Sequence, residues 1–82
     1  STGGVSATIA DPKLIFAAAI KANASAVVLS HCHPSGQLKP SDADIKLTKK
    51  LVDGSKFLEI QVLDHIILTS EGYYSFADEG LM

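Results

Sequence analysis

One cysteine, no tryptophan and three prolines stand in this chain of 82 residues. The lone Cys32 excludes an internal disulfide, and so sparing a use of cysteine fits a reduced, cytoplasmic setting. No apolar run approaches the ~20 residues that a membrane-spanning helix requires. No signal-peptide pattern opens the chain. Neither sign of charge prevails, with seven Lys and Arg against nine Asp and Glu, a net −2. A nucleic-acid-binding domain usually presents a basic stripe, so this balance disfavours nucleic acid as a partner of this segment. Repeats, linkers and low-complexity tracts are missing as well. What is plentiful is apolar side chain, 46% of the residues, which suits a core and argues against disorder. A chain this short buries only about 60% of its unfolded surface. One domain over residues 1–82 is expected, and its start at Ser1-Thr2-Gly3-Gly4 without methionine reads as a fragment of a longer polypeptide.

The patterning alternates strands and helices. Val5 to Ile9 reads as a short strand. Asp11-Pro12 is a helix start, with Asp at the N-cap and Pro at the first helical position. Leu14, Ile15, Ala18, Ala19 and Ala22 follow at helical spacing, and Asn23 is a left-handed stop. Ala26 to Cys32 is a buried strand that ends in histidines. Pro34, Gly36 and Pro40 mark a loop. A second helix begins at Ser41 with Ile45, Thr48, Leu51, Val52 and Ser55 on one stripe. Gly54 weakens its last turn by roughly 1 kcal/mol relative to Ala. Ile60 to Thr69 is a long strand, turned by Ser70-Glu71-Gly72 into Tyr73 to Phe76. Ala77 to Met82 suits a single helical turn.

The order β-α-β-α-β-β predicts an α/β domain, two-layer or three-layer, with a mixed sheet and flanking helices. The opening strand is abrupt, as though one or more N-terminal strands were missing. The open edge this leaves would suit pairing with a second copy, a homo-oligomer.

The chemistry concentrates in His31-Cys32-His33-Pro34-Ser35-Gly36-Gln37-Leu38-Lys39-Pro40-Ser41-Asp42-Ala43-Asp44. Side chains alternate along a strand, so Val27, Leu29, His31 and His33 share a face. Residues two apart lie about 6.6 Å apart along it, close enough for two imidazoles to converge on one ion at about 2.0–2.1 Å. Cys32 points the other way. The loop returns the chain to a helix start, and Asp44 in its first turn can bring a carboxylate to the histidines. His31, His33 and Asp44 are thus candidate zinc ligands, three protein donors with a fourth position open to water. Ser41 is the candidate catalytic residue, its hydroxyl placed to bond a metal-bound water or an oxyanion. A hydrolase also needs an acid–base group. Glu59, Glu71 and Glu79 all follow the second helix, so this Glu is expected upstream of Ser1.

Each piece has a plainer reading. Ser41-x-x-Asp44 is also a capping box, though Asp is a weaker third-position residue than Glu. A His-x-His on its own is commonly incidental, and Pro-Ser-Gly is a common turn. Cys32 reads as a buried, inert thiol. Asp64-His65 interrupts an apolar strand, either as a hydrogen-bonded structural pair or with one member supporting the metal site. By alternation Asp64 sides with Val62 and Ile66, and His65 with Leu63 and Ile67.

The string His-x-His-x7-Ser-x2-Asp resembles the JAMM motif of MPN+ (JAB-type) metalloproteases. Within that superfamily the chain resembles the RadC family, through Asn23-Ala24-Ser25-Ala26, His33-Pro34-Ser35-Gly36, Pro40-Ser41-x-x-Asp44 and Val62-Leu63-Asp64-His65-Ile66-Ile67. Cys32 stands where Asn is commoner. The resemblance implies a cytidine-deaminase-like α/β fold, Zn2+ on His31, His33 and Asp44, and Ser41 assisting the bound water. It implies cleavage of a peptide or isopeptide bond, with the acid–base Glu on a preceding strand. Two functions are therefore expected in rivalry. One is a zinc-dependent metallohydrolase that uses a zinc-bound water to cleave an amide. The other is a non-enzymatic protein- or DNA-interaction module, with or without the metal, of a longer RadC-type protein associated with DNA repair.

Overall fold

The computed structural model describes residues 11–82. The strand expected at Val5 to Ile9 lies outside the described residues.

Helix α1 spans Pro12–Lys21, with the Asp11 side chain accepting from the Lys13 amide at 2.9 Å. Pro12 sits in the first turn, where its missing N–H costs nothing. The helix stops as the sequence predicts: Asn23 turns left-handed at φ 54°. The Ala24 amide then donates to Ala19 and the Asn23 amide to Ile20, the two bonds of a Schellman stop. Strand β1 follows at Ala26–Cys32.

Helix α2 spans Asp42–Leu58 behind its Ser41 cap. Thr48, Leu51 and Ser55 of the expected stripe are buried, whereas Ile45 stays 40% exposed. Gly54 has a use that its poor helix propensity hides. A Cβ there would stand 3.0 Å from Cε2 of Phe16, so the missing side chain lets α1 cross close to α2.

Strands β2 (Gln61–Thr69) and β3 (Gly72–Ser75) complete a sheet of order β1-β2-β3. β1 and β2 run parallel, β2 and β3 antiparallel, so the sheet is mixed as expected. Between Val27 and Val28 the register jumps from Val62 to Asp64. Leu63 is the extra residue of this bulge and it corrects the strict alternation expected for β2. Val62 packs with Ala19, Val27 and Ile60 in the core, while Leu63 is 48% exposed. Residues 76–80 form hydrogen-bonded turns with no continuing helix, held by Glu79 N–H to the Ser75 carbonyl, four residues back as in one helical turn, and by Leu81 N–H to Phe76.

Ile15 and Ala19 of α1, Leu51 of α2, and Val27, Ile60, Ile67 and Phe76 form the core. Ala19 meets Val27, and α2 packs on β2, so both helices cover the histidine-bearing face of the sheet. Among the described residues nothing covers the other face, where Val28, Leu68 and Tyr73 are exposed. Cys32 lies on that face and is exposed, which corrects its expected burial. The molecule is thus a two-layer α/β arrangement among the described residues. No described helix is long and apolar enough to cross a membrane.

Candidate metal centre

The site forms where β1 ends and α2 begins. Period-two alternation buries Val27 and carries Leu29, His31 and His33 along the same face toward the helix N-terminus. His33 lies just past β1, and its amide still bonds the Leu68 carbonyl at 3.0 Å. The Gly36 amide then bonds back to the His33 carbonyl at 3.0 Å, and Gly36 takes φ +80°. That left-handed turn is one glycine adopts freely. It points the loop toward Pro40 and the cap of α2.

Three side chains meet there. Nε2 of His31 and Nε2 of His33 are 2.9 Å apart. Asp44 Oδ1 is 3.2 Å from His31 Nε2, and Oδ2 is 3.3 Å from His33 Nε2. All three offer one ligand atom within 4.8 Å of the others, a group that could hold a metal ion. Tetrahedral zinc with bonds of about 2.0–2.1 Å spaces its donors roughly 3.3–3.4 Å apart. The two carboxylate distances match that spacing and the imidazole pair is slightly tighter.

The protons point the same way. His33 Nδ1 is 2.7 Å from the Gln37 carbonyl, which can only accept, so Nδ1 carries the hydrogen. In the neutral ring Nε2 is then a bare lone pair. It faces the other imidazole and a carboxylate. Burial pushes the Asp44 carboxyl up, but the amide and hydroxyl of Ser41, with His31 and His33, outweigh it and hold the group below its ordinary value. A negative carboxylate and imidazole lone pairs crowded together are a donor set suited to a cation.

Asp44 does this while capping the helix. Its Oδ2 accepts from the Ser41 amide at 2.9 Å, and Ser41 Oγ accepts from the Asp44 amide at 3.1 Å. The capping box is complete, so the plain reading holds, and the same carboxylate still faces both imidazoles. Ser41 Oγ spends a lone pair on the cap, and its one hydrogen faces the acceptors beside it. Ser41 and His33 border one pocket of about 400 Å³, with Gln37, Lys39 and Pro40.

The glutamates do not join the group. Glu59 caps the far end of α2, ~25 Å along a helix of this length. Glu71 lies in the β2–β3 turn and Glu79 in the final turns, both exposed.

Asp64 and His65 part company. Asp64 Oδ1 accepts from the amides of His65 (2.7 Å) and Ala77 (3.0 Å), and its Oδ2 accepts from Ser75 Oγ. Burial raises its carboxyl, but these donors, led by Ser75, prevail and hold it low. Asp64 therefore staples β2 to the chain beyond β3. His65 is 2% exposed and stacks on Phe76 with centroids 4.5 Å apart. Its Nε2 lies 3.0 Å from His31 Nδ1 and its Nδ1 lies 2.6 Å from Thr48 Oγ1. Burial, with His31 beside it, pushes this imidazole down against the carboxylates of Asp44 and Asp64.

Thr48, the Gln37 carbonyl and Phe76 have no direct signature in the sequence for a place at this site. Thr48 had a faint one: it is a hydroxyl on an apolar stripe, four residues after Asp44, hence on the same helix face.

The RadC-like JAB domain family matches residues 1–81. The chain is 44% identical to a UPF0758 protein of Flavobacterium johnsoniae over 81 residues, covering 99% of this chain and 35% of that protein. It is 47% identical to a UPF0758 protein of Porphyromonas gingivalis over 83 residues (100% and 37%), and 43% identical to one of Methanosarcina mazei over 82 residues (100% and 36%). The chain spans just over a third of the length of these curated relatives.

Proposed function

We propose, on the premise that this chain belongs to the RadC-like JAB domain family, that it is the metal-bearing part of a zinc-dependent hydrolase acting on amide bonds. The observation that carries the proposal is the convergence of His31 Nε2, His33 Nε2 and the Asp44 carboxylate within 3.3 Å of one another, with His33 holding its proton on the far nitrogen.

In this reading His31, His33 and Asp44 hold the ion. An ion such as zinc held by these residues would supply Lewis acidity and make water a nucleophile near neutral pH. Asp44 contributes the negative charge of the donor set and is held in place by the Ser41 amide. Ser41 donates its hydroxyl proton to the oxygen that gains charge as the amide carbonyl is attacked. The carbonyl would enter beside His33 and Ser41, which line the same pocket. Proton transfer to the leaving amine is assigned to a glutamate outside residues 11–82. The substrate class is a peptide or isopeptide, and a cytoplasmic setting suits a domain with one thiol and no disulfide.

One observation favours the rival reading of a non-enzymatic interaction module, since none of the described glutamates reaches the metal group. The test uses the full-length protein that carries this domain. Metal analysis should give one zinc per chain, lost in His33→Ala. A peptide and isopeptide panel should be cleaved, cleavage should stop with chelator, and zinc should restore it. Cleavage that persists in chelator refutes the zinc mechanism, and stoichiometric zinc without cleavage of any member supports the module.

A further inference from the structure

Zinc binds a neutral imidazole through a lone pair, so each histidine must carry its hydrogen on the other nitrogen. For His33 the Gln37 carbonyl sets this directly. His31 has no such carbonyl. Its Nδ1 faces another imidazole, Nε2 of His65, and two neutral imidazoles can share a hydrogen bond in either direction. If His65 donates, His31 holds its hydrogen on Nε2 and is useless as a ligand. If His31 donates, Nε2 is free.

The direction is decided three residues away. Thr48 Oγ1 lies 2.8 Å from the Asp44 backbone carbonyl, which can only accept. The hydroxyl has one hydrogen, and this bond takes it. Towards His65 Nδ1, at 2.6 Å, Thr48 Oγ1 can then only accept, so His65 carries its hydrogen on Nδ1. His65 Nε2 is left as the acceptor, and His31 Nδ1 must donate to it. Every link from Asp44 to His31 has a single allowed direction once the first is set, and in the neutral rings the 2.9 Å contact between His31 Nε2 and His33 Nε2 is then one between two lone pairs, which a proton or a metal ion between them would relieve. His65 is 2% exposed and stacked on Phe76, and Thr48 is 1% exposed, so water does not compete for either.

We propose that Thr48 and His65 are positioning residues: they pass the polarity of the Asp44 backbone carbonyl to His31 and fix its lone pair on Nε2, facing the metal position. The device also ties two donors to one helical turn, since Asp44 supplies a carboxylate oxygen from its side chain and the polarising carbonyl from its backbone. This inference rests on the metal reading above, because the tautomer matters only if His31 Nε2 binds an ion.

The test is made on the full-length protein, with zinc as the probe. In metal-free protein labelled with 15N at histidine, the His31 and His65 signals should show hydrogen on Nδ1 of both rings and a bare Nε2 in His65. Thr48→Val removes the hydroxyl with little change of shape. Its zinc dissociation constant, measured against a competing chelator, should rise about 10–100-fold, with His31 no longer confined to one tautomer. Thr48→Ser should restore both. If Thr48→Val does not fold, the wild-type spectrum and Thr48→Ser still decide. A bare Nδ1 in His31, or wild-type zinc affinity in Thr48→Val, overturns the inference. Wild-type protein that takes up no zinc, with the tautomers as stated, instead overturns the metal reading on which it rests.

Discussion

Asp44 caps a helix and faces two imidazoles with the same carboxylate, and Asp44→Asn separates those roles. The amide oxygen of Asn can still accept from the Ser41 N–H, now bonded at 2.9 Å. The NH2 replaces the oxygen that stands 3.2 Å from His31 Nε2, so a donor meets a lone pair where two acceptors met before. Some favourable interaction with the helix N-terminus is lost with the charge, about 0.3–1 kcal/mol. Without metal, the melting point of the 82-residue chain should therefore change little, by less than ~1 kcal/mol. Asp44→Ala loses the hydrogen bond as well and should fall by about 1 kcal/mol, or roughly 4–8 °C for a domain of this size. Zinc reverses the ranking. At a hundred times its dissociation constant, an ion bound only by the folded state adds about 2.7 kcal/mol, which raises the melting point by roughly 10–20 °C. Loss of a partner that merely supports a ligand weakens metal binding about 10–100-fold, so loss of the charged ligand itself should cost at least 100-fold. At the same zinc concentration Asp44→Asn should then gain only about 0.4 kcal/mol, or 2–3 °C. Thermal melts of the three proteins with and without zinc read all of this. An Asn variant that keeps the full zinc shift shows that Asp44 is not a ligand. An Asn variant that melts as low as Ala without metal shows that the cap does not depend on an acceptor oxygen.

Cys32 points away from the imidazoles and is exposed, so Cys32→Ala should keep zinc stoichiometry by metal analysis and shift stability by less than about 0.5 kcal/mol. Glu59 holds φ 55° at the end of α2, where a side chain costs about 1–2 kcal/mol and glycine recovers most of it, less its own entropy. Glu59→Gly should stabilise by roughly 0.5–1 kcal/mol in urea unfolding, and a loss would show that Glu59 makes a contact worth more than the strain. The Asp64 carboxyl is held below its ordinary value. Its stabilising contribution is thus present above the unfolded value of about 3.9 and is lost as pH falls through the lower folded value. Acid unfolding should steepen below about pH 4, and Asp64→Asn should remove that share of the slope while leaving near-neutral zinc binding intact. Unchanged pH dependence in this variant would mean that Ser75 and Ala77 do not favour the charged form.

Much of the frame was legible because it is written in local chemistry. Asp11-Pro12, Asn23, Ser41 and the alternation from Ala26 to Cys32 set their elements through bonds and sterics within a few residues. The convergence of His31, His33 and Asp44 was legible too, since a strand tip, a seven-residue loop and a first helical turn leave little freedom. Less legible was the single extra residue at Leu63, because a bulge breaks alternation without changing composition. Cys32 misled for a related reason: an apolar neighbourhood in sequence does not say whether a second layer covers that face.

The sequence by itself determined which residues could grip an ion and where the helices and strands begin. Only the tertiary structure decided how the protons are arranged around that group. Parallel pairing sets Leu29 opposite His65 and His31 opposite Ile67, and the packing of α2 on β2 brings Thr48 against His65. His65 and His31 are 34 residues apart. A hydrogen bond across that separation has no local signature, since its direction depends on a carbonyl that reaches it only through the folded core.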